Sequence, residues 1–245
     1  MRDFNGKRYW LVGASEGLGL ALAHKLNAAG AEVILSGRDA LRLHEAVLTM
    51  PGRASAVVAD VASAESVRAA AAEVGPVDGV VILAGVYWPM TAQEWDAGKA
   101  EAMCDVNFTG AHRVVGAVLP EMVAQNRGHL MITGSLSGFR GLPGAIGYAA
   151  SKAGVMTLAE SLYADLRGTG VTVQLANPGF IRTRLTDKND FKMPFLMETP
   201  EAAQHMFEQM CGDQFKVSFP TVFSWLFRLS QFLPDWAYYR IFAPK

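Results

Sequence analysis

Short apolar runs alternate with amphipathic segments along most of this chain, and that alternation restricts its fold more than any other feature. The runs at 9–12, 32–36, 56–59, 79–83, 129–133 and 172–176 read as buried strands. Helical patterns occupy 18–29, 40–48, 64–74, 108–126, 148–167 and 200–210. Strands separated by helices pair in parallel, because the chain must cross back over the sheet before pairing again. The expected fold class is therefore α/β: a doubly wound parallel sheet with helices on both faces, in a single domain. In such a sheet the strand ends lie along one edge, so a glycine turn, Arg38, Asp60, Gly85, Ser135 and Asn177-Pro178-Gly179 should converge there.

The first strand runs into Val12-Gly13-Ala-Ser15-Glu16-Gly17-Leu18-Gly19, and a helical pattern follows at once. Glycines let the backbone approach a pyrophosphate, and a helix N-terminus offers N–H donors and positive dipole to it. Further along, Ser135 closes the run Leu130-Met-Ile-Thr-Gly-Ser135, and Tyr148-Ala-Ala-Ser-Lys152 opens a helix. Residues four apart share a helix face, so Lys152 should stand one turn from the Tyr148 phenol. A neighbouring ammonium favours phenolate and is expected to lower the Tyr148 pKa toward neutral, where tyrosine can exchange a proton with substrate.

Taken together, these residues resemble the short-chain dehydrogenase/reductase family in its roughly 250-residue form. The family pattern G-x-x-x-G-x-G matches Gly13, Gly17 and Gly19, and its serine and Y-x-x-x-K match Ser135, Tyr148 and Lys152. Its helix asparagine matches Asn107, its post-strand acid matches Asp60 in Ala59-Asp60-Val61, and its P-G-x-x-x-T matches Pro178, Gly179 and Thr183. The matches are collinear from residue 7 to about residue 185. The chain departs from the family at Val12, where threonine is usual, and at Ile82-Leu83-Ala84-Gly85, where Asn-Asn-Ala-Gly is usual; a late V-D-G-G element is missing.

The resemblance implies a Rossmann-type fold and an oxidoreductase that interconverts a ketone and a secondary alcohol. It implies Tyr148 as acid/base and Ser135 as donor to the substrate oxygen. Lys152 would lower the tyrosine pKa and hold the nicotinamide ribose. Asn107 would order a water path to Lys152, though the sequence equally allows it as a helix N-cap. The cofactor would meet Gly13, Ser15, Glu16, Gly17, Leu18, Gly19, Asp60, Val61, Ala84, Gly85, Tyr148, Lys152, Pro178 and Gly179, with Ile181 and Thr183 near the carboxamide. Ser36 stands where relatives that prefer NAD carry an acid, and Arg38 follows with a guanidinium suited to a 2′-phosphate, which favours NADP(H) over NAD(H). Glu16 argues in the other direction.

The charge balance is near zero, with 22 basic against 23 acidic residues, so no general attraction to nucleic acid is expected. Two cysteines, Cys104 and Cys211, form no disulfide framework, and no metal-ligand spacing is present. The first residues lack the apolar stretch of a signal peptide, and no apolar segment reaches the ~20 residues a bilayer requires. A cytoplasmic setting fits.

Near the strand ends, Val86, Tyr87, Trp88, Leu136, Phe139, Leu142 and Phe180 are expected to wall a substrate site. Leu185, Phe191, Met193, Phe195, Leu196 and Met197 should form its apolar lid, and a hydrophobic small-molecule ketone or alcohol fits best. The domain is expected to span 1–214, with 215–245 as a C-terminal aromatic extension whose simplest use is packing on the protein itself; contact with a membrane surface is the less favoured alternative. The helices at 108–126 and 148–167 carry more apolar residues than one sheet face covers, so a homodimer or homotetramer is expected. Loss of catalysis, leaving a dinucleotide-sensing protein, is the competing reading; the retained Ser135, Tyr148, Lys152 and Asn107 weigh against it.

Overall fold

The computed structural model describes residues 2–188 and 193–243. Seven parallel strands form one sheet: β1 (Arg8–Val12), β2 (Glu32–Gly37), β3 (Ala54–Val58), β4 (Gly79–Ile82), β5 (Gly128–Thr133), β6 (Val171–Pro178) and β7 (Lys216–Phe219), in the order β3-β2-β1-β4-β5-β6-β7. The order reverses between β1 and β4, which opens a crevice at their C-terminal ends. The first six strands lie where the apolar runs place them. The seventh is a polar-led tetrapeptide too short to stand out, and it pairs with β6 from Leu175–Lys216 to Pro178–Phe219.

Period-two alternation sends each strand's side chains into two separate cores. Trp10 and Val12 belong to one, with buried residues of α3 (Ala64–Val74), α5 (Gly110–Ala124) and α6 (Ile146–Asp165). Tyr9 and Leu11 belong to the other, with α1 (Gly17–Ala28), α2 (Ala40–Leu48) and α7 (Thr199–Cys211). Asp39 and Ser63 cap α2 and α3 through bonds to the Arg42 and Ser66 amides.

Three elements escape the sequence pattern. Helix α4 (Ala97–Cys104) is short and has only Ala100 and Met103 buried, so it shows no long apolar stripe. It runs without a break through a π-helical turn, Asp105–Thr109, into α5. Asn107 therefore sits inside continuous helix, and the N-cap alternative fails. At the C-terminus, α8 (Thr221–Ser230) and α9 (Asp235–Phe242) form two short helices beyond β7.

Within the sheet, near the start of β5, His129 is buried between the Tyr9 hydroxyl (3.0 Å) and the Gln174 amide oxygen (2.8 Å). Burial drives its pKa down to about 3, so it is a neutral core residue.

Candidate active site

The strand ends border a cleft of about 470 Å3 at the β1/β4 switch point. Its floor at one end is the glycine turn. Gly13 has φ +94°, and a side chain there would strike the Ala84 backbone at 2.4 Å; one at Gly19 would strike the Gly13 carbonyl at 2.2 Å. Only glycine permits that packing. No side chain caps the N-terminus of α1, and its first residues Gly17, Leu18 and Gly19 line the cleft. The cleft is lined by Gly13, Ser15, Glu16, Gly17, Leu18, Gly19, Arg38, Asp60, Val61, Ala84, Gly85, Ser135, Tyr148, Lys152, Pro178, Gly179, Ile181 and Thr183. Among the residues singled out in the sequence for the cofactor or the chemistry, Asn107 alone does not line it.

At the far end, the Ser135 hydroxyl stands near Tyr148 and accepts from Ser137 N–H at 3.1 Å. Burial raises the Tyr148 pKa to about 12, opposed by the polar Ser135 hydroxyl and reinforced by the neighbouring Tyr87, whose ring packs edge-on at 5.0 Å. Burial outweighs the lowering expected from Lys152 in this arrangement. The ammonium lies 5.9 Å from the Tyr148 ring centroid and donates instead to the Thr133 carbonyl at 2.9 Å. Burial lowers Lys152 itself to about 8.

Asn107 holds the site from behind. Its amide accepts from Val86 N–H (2.7 Å) and donates to the Val86 carbonyl (3.0 Å) and to Ser151 Oγ (3.0 Å). It thereby ties the chain after β4 to α6, next to Lys152. One Asp60 oxygen accepts from Ala62 N–H in a turn, and the residue lines the cleft.

The β2 end requires a correction. Ser36 is fully buried and points away from the cleft, accepting from Trp10 Nε1 (2.8 Å) and donating to the Val57 carbonyl (2.6 Å). Adjacent strand residues face opposite ways, so Gly37 is the position that meets the cleft. It carries no carboxylate, and the exposed Arg38 follows it with no ion pair among the described residues. Glu16 is bound by two guanidiniums, Arg184 at 2.6 Å and Arg42 at 3.7 Å. Arg184 also lines the cleft, as do Gly37, Thr133, Gly134 and Thr186, none of which stood out in the sequence. Arg184 left no local trace because its partner lies 168 positions away.

Two apolar groups flank the catalytic end; among the described residues, of the expected walls only Val86, and of the expected lid only Leu185, line the cleft itself. Val86, Tyr87, Trp88 and Tyr148 pack around Met90, Ala100 and Met103. Leu136, Phe139, Leu142 and Phe180 pack with Phe223, Phe227 and Phe242 of the last two helices. The lid is pinned by an Ile181–Met197 bridge; Met197 is buried and Phe195 stacks on Phe223 at 5.2 Å. Phe191 lies outside the described residues. Lys188 lies 4.4 Å from the Trp88 ring and donates to the Tyr87 carbonyl at 2.7 Å.

The sequence model of the family described as short chain dehydrogenase matches residues 7–193. This chain belongs to the short-chain dehydrogenase/reductase family. It is 40% identical over 243 residues to an uncharacterized oxidoreductase of Myxococcus xanthus, covering 96% of each chain. It is 29% identical over 188 residues to a 3-oxoacyl-[acyl-carrier-protein] reductase of Rickettsia typhi, covering 77% of this chain and 78% of that one. A solved short-chain dehydrogenase/reductase from Burkholderia phymatum in complex with NAD superposes with a TM-score of 0.86 at 26% identity, covering 94% of both chains. The chain is an NAD(P)-dependent dehydrogenase/reductase with the Rossmann-type fold of its family.

Proposed function

We propose that this enzyme reduces a hydrophobic ketone to a secondary alcohol, and reverses that reaction, with NADP(H) preferred over NAD(H). The observation that carries the reading is one cleft joining an uncapped, glycine-floored helix start to a Ser135–Tyr148 pair with Lys152 buried beside it. The glycine floor admits a pyrophosphate against the backbone, so the residues present fit a dinucleotide. When bound, the nicotinamide supplies the hydride chemistry.

The chain's own residues then divide the remaining work. At neutral pH Tyr148 holds its proton, which suits donation to a carbonyl oxygen in reduction. Ser135, beside Tyr148 in the cleft, stands where it can donate to that oxygen as negative charge grows on it. Below about pH 8 Lys152 is charged, and that charge stabilises the phenolate left behind. Asn107 fixes the Val86 backbone and Ser151, which positions α6 and the two catalytic side chains it carries. Asp60 keeps a carboxylate oxygen for the adenine amino group, and Ile181 and Thr183 stand by the carboxamide.

Three features support NADP(H). Gly37 brings no acid to the ribose, Arg38 is exposed and unpaired among the described residues, and the Glu16 charge is compensated by Arg184 and Arg42. The apolar walls favour a hydrophobic substrate. A homodimer or homotetramer through α5 and α6 fits their outer faces, where Val123 and Tyr163 are exposed and Leu119, Leu158 and Leu162 are half-covered. The test is a turnover screen of hydrophobic ketones with NADPH consumption as readout. A chain that binds NADPH and turns over no ketone or alcohol would refute the reading.

A further inference from the structure

Helix α8 is apolar on two opposite faces. Phe223 and Phe227 are buried against Leu136 and the aromatic wall beside the cleft. On the outer face Val222, Trp225, Leu226 and Leu229 follow the i, i+3, i+4, i+7 spacing of one helical stripe, and all are exposed, Val222 by 74%. Past the helix, Phe232 is 83% exposed in the turn and Trp236 75% exposed at the start of α9. Exposed large apolar residues on α5 and α6 are single by comparison. A contiguous patch of this kind marks a contact surface.

Charge decides what fits it. From Phe219 to the end, the chain carries one acid, Asp235, against Arg228, Arg240 and Lys245. Asp235 is already held by Arg140. Arg228 lies 5.1 Å from the Trp225 ring, on the edge of the stripe. Two copies meeting through this face would set arginine against arginine with no free acid to pair them. A surface of anionic headgroups over acyl chains matches both the apolar stripe and its basic rim. Helices of 10 and 8 residues are far too short to cross a bilayer but suit lying in its plane. Among the described residues no helix is long and apolar enough to cross a membrane.

We infer that α8, α9 and the turn between them dock the enzyme on an anionic lipid surface, with Trp225, Leu229, Phe232 and Trp236 inserted and Arg228 and Arg240 at the headgroups. The buried side of the same helices packs on Leu136 and Phe180, next in sequence to the cleft residues Ser135, Gly179 and Ile181, so docking would set the active site near the lipid. The inference stands on the tail alone and does not depend on the identity of the ketone.

The test is co-sedimentation of the full chain with vesicles of phosphatidylcholine, with and without phosphatidylglycerol. Wild type should pellet with the mixed vesicles. The triple variant Leu229→Ser/Phe232→Ser/Trp236→Ser, altered only at exposed positions, should lose at least about tenfold in affinity while keeping its circular dichroism and its NADPH binding. Arg228→Gln/Arg240→Gln should lose about tenfold on the anionic vesicles and little on pure phosphatidylcholine. Wild type remaining in the supernatant would overturn the inference, as would a folded triple variant that pellets like wild type. Light scattering that shows a wild-type dimer reduced to monomer by the triple variant, with no vesicle binding, would assign the face to a second copy instead.

Discussion

In the sheet, successive residues alternate between two cores: Trp10 and Val12 are buried on one side, Tyr9 and Leu11 on the other. In α8 the apolar residues also divide between two sides, but Phe223 and Phe227 meet the protein while Trp225 and Leu226 stay half-exposed. Both regions are rich in large apolar side chains. They differ in what the rest of the chain supplies. Each face of the sheet receives a layer of helices from its own βα crossovers, whereas α8 and α9 belong to no crossover, and among the described residues no element covers their outer faces. Apolar content therefore reports a core only where the topology brings a second layer, and elsewhere it reports a surface awaiting a partner.

The sharpest way to break the contrast is through the chemistry. Tyr148→Phe should lower turnover by about 10²- to 10⁴-fold while leaving dinucleotide binding largely intact, because only the proton-transfer group is removed. The outer-face variants of α8 and α9 should leave turnover of a soluble ketone near wild type. Steady-state rates with parallel binding titrations check both, and a Tyr148→Phe enzyme at near wild-type rate would remove tyrosine from the mechanism.

A smaller effect divides the tail itself. Tyr238 is 1% exposed, donates to the Gly141 carbonyl at 2.8 Å and lies under Arg140 at 4.0 Å. Tyr238→Ala should cost about 3 kcal/mol, near the range for deleting a buried aromatic. Two residues earlier, Trp236→Ala should change stability by less than about 0.5 kcal/mol. Denaturant melts of the two variants would show whether the inner and outer faces differ as described; equal losses would erase the distinction.

At the opposite end of the cleft, Arg38→Ala should weaken NADPH by roughly 10-fold to 100-fold through loss of a charge-assisted contact, and NADH by far less. Fluorescence titration checks it, and a wild type that binds NADH more tightly would refute the NADP(H) preference.

The smallest effect is a pH dependence. Lys152 has a pKa lowered to about 8, so its charge is present below that pH and is lost as pH rises through it. For ketone reduction kcat/KM should fall on the basic side with a midpoint near 8, since this parameter reports the free enzyme. Tyr148, raised to about 12, keeps its proton over the same window. A profile flat to pH 10 would show that the Lys152 charge is not used.

Most of the fold was legible because a buried parallel strand writes itself as an apolar run, and six of the strands do so. Strand β7 did not, since Lys216 and Ser218 interrupt its apolar residues. Helix α4 was hidden by a stripe of only two buried residues. In the site, Gly13, Gly19, Ser135, Tyr148 and Lys152 lay in local patterns that chemistry makes readable. What stayed hidden depends on orientation or distance: that Ser36 turns inward and Gly37 outward, that Lys152 donates to the Thr133 carbonyl, and that Arg184 reaches Glu16. The aromatic tail was legible as unusual, but its division into a covered and an open face required the packing.

The most direct measurement is nicotinamide absorbance during incubation of wild type and Tyr148→Phe with NADPH and a panel of hydrophobic ketones. The account predicts NADPH consumption by wild type with at least one such ketone, slower consumption of NADH, and binding without turnover in the variant. NADPH bound by wild type with no consumption across ketones, and no NADP+ reduction across the matching alcohols, would contradict it.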